Sequence, residues 1–325
     1  MFILYFYGGF SVKNKSFKFL IAILIISLLG NGFFIFKLKQ QPFSISLENV
    51  NSRDTYFTIH NIKQAHSITK GKGIKVGILD HYFGYESHKE LYTNCIDFLN
   101  DSHSLNNISE HGYWMATTLK EIAPECEIYG LNTINSKDEN SKVDAIIKAI
   151  DWSIENHIDI LTYSQPAISE NNRKRFDEAV DKAIKNNIVT TFIHYDNPNN
   201  LWPDAMVSDN NLESGVRKPD LNILQYDYNS LLIDSYNQYE KSKDGVRKGE
   251  NTPYLSISST SVVTGGFVAL LKSINNTLTP NEYKEILKKT SSNITFKNPY
   301  TLKESQCSSV PDVGKATLYI KDNFK

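Results

Sequence analysis

Asp80, His111 and Ser261 are the residues whose types and settings could together cleave a bond. Asp80 ends the apolar run "GIKVGILD" (Gly73–Asp80). A carboxylate at the carboxyl end of a buried strand lies beside a dry core, where it can orient an imidazole. His111 opens "HGYWMATTLKEIAP" (His111–Pro124), a helical segment that Pro124 stops, and Gly112 leaves room for close backbone approach. Ser261 sits in "SSTSVVTGG" (Ser258–Gly266), ahead of Phe267, Val268, Ala269, Leu270 and Leu271. Serine and threonine cap helices, and a serine at a helix start also inherits the free N–H groups there. The chemistry on offer is nucleophilic, with a hydroxyl to attack, an imidazole as base and a carboxylate to orient it. Taken singly, each has an ordinary reading as strand-end acid, surface histidine or helix cap. The weight therefore falls on surroundings and order.

The segments that must position these residues alternate in period. "CEIYGLNTI" (Cys126–Ile134), "IDILTYS" (Ile158–Ser164) and "IVTTFIHY" (Ile188–Tyr195) read as strands, like the run before Asp80. Between them lie "SKVDAIIKAIDWSIEN", apolar at Val143, Ile146, Ile147, Ile150 and Ile154, and "RKRFDEAVDKAIKNN". Strands alternating with helices predict an α/β fold, a parallel sheet with helices on both faces and binding groups at the carboxyl ends of the strands. "KPDLNILQYDY" (Lys218–Tyr228) reads as a loop and strand. "TPNEYKEILKKTS" reads as a capped helix, with Thr279 as cap, Pro280 first and Glu282 in the first turn.

The chain of 325 residues carries a net charge of -1, which does not point to nucleic acid. Cys95, Cys126 and Cys307 show no zinc or redox spacing and no dense disulfide framework. "FLIAILIISLLGNGFFIF" (Phe19–Phe36) is uncharged and follows Lys13, Lys15 and Lys18. It predicts a single membrane anchor, with a cleaved signal segment and secretion as the alternative. The lysine bias places the bulk of the chain outside the cell. The expected organisation is a stub over 1–18, the anchor over 19–36, a connector over 37–61 that stays polar to about residue 65, and one domain over 62–325.

In its order of motifs the chain resembles the subtilisin-like serine proteases from about Ile62 to Leu271. "GKGIKVGILDHYFGYESHKEL" is similar to the family's aspartate strand, and "HGYWMATTLKEIAPECEIYGLNTI" to its histidine helix and next strand. "AIIKAIDWSIENHIDILTYSQ" resembles the helix and strand that line the specificity pocket. "KPDL" (Lys218–Leu221) matches an element before the serine, and "SSTSVVTGGFVALL" is similar to "GTSMATPHVAGAAALL". The order Asp, His, Ser is that of subtilisin. The resemblance implies a membrane-tethered serine endopeptidase acting on a peptide or protein. Ser261 would be the nucleophile, His111 the base, Asp80 the orienting anion, and Ser164, Gln165 and Pro166 the substrate edge. Its helix-start N–H would serve the oxyanion. Subtilisin-like domains often bind structural calcium, but no cofactor is certain and no ligand set can be assembled from this sequence.

The departures define a rival reading. Tyr113 and Trp114 replace Thr and His of the histidine motif, and Val263 and Gly265 stand where the serine motif has Ala and Pro. Counting along "NIVTTFIHYDN" puts Asp196 where the family has its oxyanion asparagine, with Asn197 one step on. A carboxylate there repels an oxyanion, and loss of the amide costs about 10²–10³ in rate. Pro166 has no N–H to offer a substrate strand. The alternative function is therefore a weak or inactive pseudoprotease kept as a binding or regulatory module.

Overall fold

A computed structural model of the chain describes residues 43–44, 57–106, 111–134, 138–165, 168–193, 195–205, 220–223, 258–297 and 304–324. The chain divides into two compact units, Met1–Phe43 and Ser44–Lys325. The expected anchor at Phe19–Phe36 lies outside the described residues. Among the described residues no helix is long and apolar enough to cross a membrane.

Five short strands form one parallel sheet. They are β1 (Lys75–Asp80), β2 (Asn94–Asp97), β3 (Glu127–Asn132), β4 (Ile160–Tyr163) and β5 (Val189–Phe192). Their order is β2-β3-β1-β4-β5, every pair parallel. β1 is thus central, and the winding reverses across it, so the crevice beyond its carboxyl end is where such sheets bind ligands. Asp80 is its last residue.

Helices cover both faces, as the alternation predicts. After the turn helix α2 (Ser102–Asn106) and α3 (His111–Ile122) come α4 (Glu139–Glu155) and α5 (Glu170–Lys185), and these last two share one face. Val143, Ile146 and Ile150 of α4 and Phe176 and Val180 of α5 bury against Leu79, Leu161 and Phe192. α4 begins two residues before the expected Ser141, because the Asp138 side chain accepts hydrogen bonds from the Asn140 and Ser141 N–H groups. On the other face α3 packs with α6 (Ser258–Lys272) over Val76, Ile78, Ile160 and Val189.

Every residue of α6 is buried. That explains its apolar composition on all sides and its paired glycines. A Cβ on Gly265 would lie 2.8 Å from Thr162 Cγ2 of β4, and one on Gly266 would lie 2.6 Å from Ile122 Cγ2 of α3. The helix is wedged between sheet and α3 by the absence of these two side chains. A short parallel pair, β6 (Pro203–Ala205) with β7 (Leu221–Ile223), stands apart from the main sheet. Then come α7 (Pro280–Thr290), the hairpin strands β8 (Ser292–Lys297) and β9 (Glu304–Val310), and α8 (Val313–Asn323). The capping box of α7 forms as expected between Thr279 and Glu282.

The expected polar connector needs correction at its end. Phe57, Ile59, His60 and Ile62 are buried, and α1 (Ile62–His66) joins the core with Ile62 and Ala65. The hydrophobic residues are too sparse there to set a period, and burial comes from tertiary contact. His60 shows the consequence. Its Nδ1 lies 2.9 Å from the Pro311 carbonyl oxygen, and its ring is 5.3 Å from that of Phe267. Burial lowers its pKa to about 4, although the Pro311 carbonyl and Asp312 favour the charged form. His60 is therefore neutral in the fold down to that pH, while the unfolded chain takes up a proton near 6.5. Stability contributed by this group is present above about 6.5 and lost as pH falls toward 4, about 3 kcal/mol in all. Urea unfolding at pH 7 and 4.5 should show that loss, and His60→Gln should flatten it.

Candidate active site

The turn after β1 docks α3 onto Asp80. Tyr82 takes a left-handed conformation, φ 57°, uncommon for a residue with a side chain. That turn offers two carbonyl oxygens to the start of α3: Gly112 N–H donates to His81 O at 2.8 Å and Tyr113 N–H to Tyr82 O at 3.1 Å. Gly112 is required, because a Cβ there would collide with the His81 carbonyl oxygen and the Phe83 ring. Gly112→Ala is expected to push α3 off the turn and cut any His111-dependent rate about 100-fold, with a stability cost of about 1–3 kcal/mol. Melting and rate measurements on the same preparation would check both.

The docking brings His111 Nδ1 to 2.7 Å from Asp80 Oδ2. Asp80 is fully buried, and His111 keeps part of its ring exposed. Burial would raise the Asp80 pKa. The charge and hydrogen bond of His111, helped by His81, override it and hold the carboxyl well below its usual range. Burial pulls His111 down, yet the Asp80 charge and hydrogen bond leave it raised. The other carboxylate oxygen accepts the His81 N–H at 2.9 Å and faces the Gln165 amide at 3.4 Å. The imidazole proton is thus held on Nδ1, which leaves Nε2 as the basic nitrogen.

Ser261 does not join this pair, a correction to the sequence expectation. It is the fourth residue of α6, fully buried. Its hydroxyl donates to Thr191 O at 2.6 Å and accepts from the Tyr163 N–H at 3.1 Å, while Thr191 Oγ1 donates to its carbonyl at 2.9 Å. Ser261 bolts α6 to the adjoining strands β4 and β5.

The serine at the helix start is Ser258. Its hydroxyl donates to Ser164 O at 3.1 Å, and Ser164 Oγ donates back to Ser258 O at 2.9 Å. Ser164 Oγ also lies 3.9 Å from Met115 Sδ, one turn along α3 from His111. Gly266 meets Leu119 and Ile122 further along the same helix. α3 and α6 therefore run side by side in the same direction, and both begin at the carboxyl end of the sheet with His111 and Ser258. The signal was in the sequence. Sliding "GTSMATPHVAGAAALL" three residues back sets its serine on Ser258, its second glycine on Gly266, and its closing leucines on Leu270 and Leu271.

The remaining expected residues divide. Ser164 and Gln165 lie at the end of β4 beside Asp80, with their polar groups turned inward to Ser258 and Asp80. Pro166 lies outside the described residues. The Asn197 amide donates to Asp181 of α5 at 3.0 Å. Asp196 is exposed. Asn200, which sequence reading passed over, is buried and completes β5, accepting from the Phe192 N–H and donating to the Phe192 and Tyr195 carbonyls. Val263 lies in the core, and Tyr113 faces His88 at a ring distance of 4.4 Å. Asp220 of the "KPDL" element pairs with the buried Lys284 at 3.1 Å. Among the described residues, Cys95 and Cys126 are buried free thiols, and no group of His, Cys, Asp or Glu is placed to hold a metal ion.

Comparison with solved structures defines the class: the chain has the subtilisin-like fold. It is similar to the MycP3 protease from the type VII (ESX-3) secretion system, with a TM-score of 0.56 and 13% identity over 85% of this chain and 90% of that one. MycP1 with its N-terminal propeptide removed gives 0.54 and 12%, over 81% and 96%. Fervidolysin from Fervidobacterium pennivorans, a keratinolytic enzyme related to subtilisin, gives 0.52 and 13% over 83% of this chain and 47% of its own. No protein-family model matches the chain, and no curated protein matches it.

Proposed function

We propose that the protein is a serine endopeptidase whose nucleophile is Ser258, with His111 as base and Asp80 as orienting anion. The observation that carries this reading is the 2.7 Å Asp80–His111 pair, set beside a helix that begins with a serine. Ser258 Oγ attacks a peptide carbonyl as His111 Nε2 takes its proton. The carbon–nitrogen bond then breaks as that proton passes to the leaving amine, and water repeats the sequence on the acyl-enzyme. The N–H groups at the start of α6 point where the oxyanion develops. Neighbours named as proteases support a peptide or protein substrate. Phe19–Phe36 is the proposed tether, with the domain outside the cell and secretion as the alternative.

A binding module is the second reading, and two observations favour it. The Ser258 hydroxyl rests on Ser164 O, and the Asn197 amide is turned to Asp181. Incubating the full-length chain with casein separates the two. Fragments from wild type and none from His111→Ala support the enzyme. No fragments from a folded wild type support the module.

A further inference from the structure

His81 stands against the other oxygen of the carboxylate that holds His111. Its Nδ1 is buried, 3.1 Å from Asp80 Oδ1, and off the axis of an aligned hydrogen bond, so the contact is electrostatic. A lone pair at that distance from a carboxylate would be repelled, which places the proton on Nδ1. The His81 ring is nearly parallel to that of His111, at 7° and 5.9 Å between centroids. Asp80 therefore has one imidazole on each oxygen.

We propose that Asp80 is shared between these two imidazoles, and that His81 is a positioning residue that keeps His111 easier to deprotonate than Asp80 alone would leave it. The inference rests on the reading of His111 as a base. A carboxylate whose second oxygen is already engaged attracts the His111 proton less. The other titratable groups around the pair, among the described residues, oppose nothing here. The Tyr82 ring meets His81 edge-on, with centroids 4.2 Å apart. Tyr113 of α3 is turned to His88. Burial pushes the Tyr92 and Tyr163 phenols far up, so both stay neutral beside Asp80. The Gln165 amide carries no charge. A base that sheds its proton more readily keeps working at lower pH.

The test is titration of the full-length chain selectively labelled with ¹⁵N-histidine, followed for His111 in wild type, His81→Phe and His81→Asn. His81→Phe keeps a ring and the backbone donor but removes the ring N–H, and should raise the His111 midpoint by about one unit. His81→Asn restores a donor and should bring the midpoint part of the way back. The acid limb of fluorophosphonate labelling should move by the same amounts. A merely structural role would lower the labelling plateau or the melting temperature without moving the midpoint. An unchanged His111 midpoint in His81→Phe overturns the inference. If the midpoint moves but the wild type takes no label, the sharing of Asp80 stands and the Ser258 nucleophile falls.

Discussion

Ser258→Ala is expected to reduce peptide hydrolysis by about 10⁴-fold or more while the protein stays folded, and Ser261→Ala is expected to do the reverse. The first removes the attacking atom, and members of such a constellation act as a unit, so losing one costs nearly the whole gain. Its stability cost is small, because the 3.1 Å bond from Ser258 Oγ to the Ser164 carbonyl is a neutral one and the return bond from Ser164 goes to the Ser258 backbone, which alanine keeps. Ser261→Ala instead strips a buried hydroxyl from between Thr191 O and the Tyr163 N–H. A buried group left without its partner costs about 1–3 kcal/mol. Rates and melting temperatures for the two variants should thus move in opposite patterns. A Ser261→Ala enzyme that is stable and dead would restore the first reading of the sequence.

Asp80→Asn should cost about 10⁴ in rate with the fold intact. The reason lies in how the carboxylate is held. Oδ1 accepts the His81 N–H at 2.9 Å and faces the Gln165 amide, so an asparagine would put its carbonyl oxygen there. Its NH₂ would then face His111 Nδ1, where Asp80 Oδ2 now lies at 2.7 Å. That selects the tautomer with the proton on Nε2, which cannot accept one from Ser258. The anion that stabilises the imidazolium is lost as well. Turnover and labelling rates on the purified variant would report this, and a loss under tenfold would mean that His111 does not act through Asp80.

The sheet and its helices were legible because their period is strong: "GIKVGILD" and the Val143–Ile154 face can fold in few other ways. The pairing of Asp80 with His111 was legible through the order of the motifs and the resemblance they carry, since strand end and helix start alone leave each an ordinary reading. The nucleophile we propose lies three residues before the one the motif match suggests, because "SSTS" offers three serines. The choice among them turns on aligning the motif's second glycine with Gly266, and the structure supplies the reason, since a Cβ there would lie 2.6 Å from Ile122 Cγ2. Phe57 to His66 looked polar because its apolar residues are few, yet tertiary packing buries them. His81 carries no signal of its own in the sequence, and its role shows only in the ring set parallel to that of His111.

The most direct measurement is to react the full-length protein with a fluorophosphonate and map the modified residue by peptide mass analysis. The account predicts a single adduct, on Ser258, absent from His111→Ala. An adduct on Ser261 would contradict the placement of the nucleophile, and no adduct on a folded protein would contradict the enzyme.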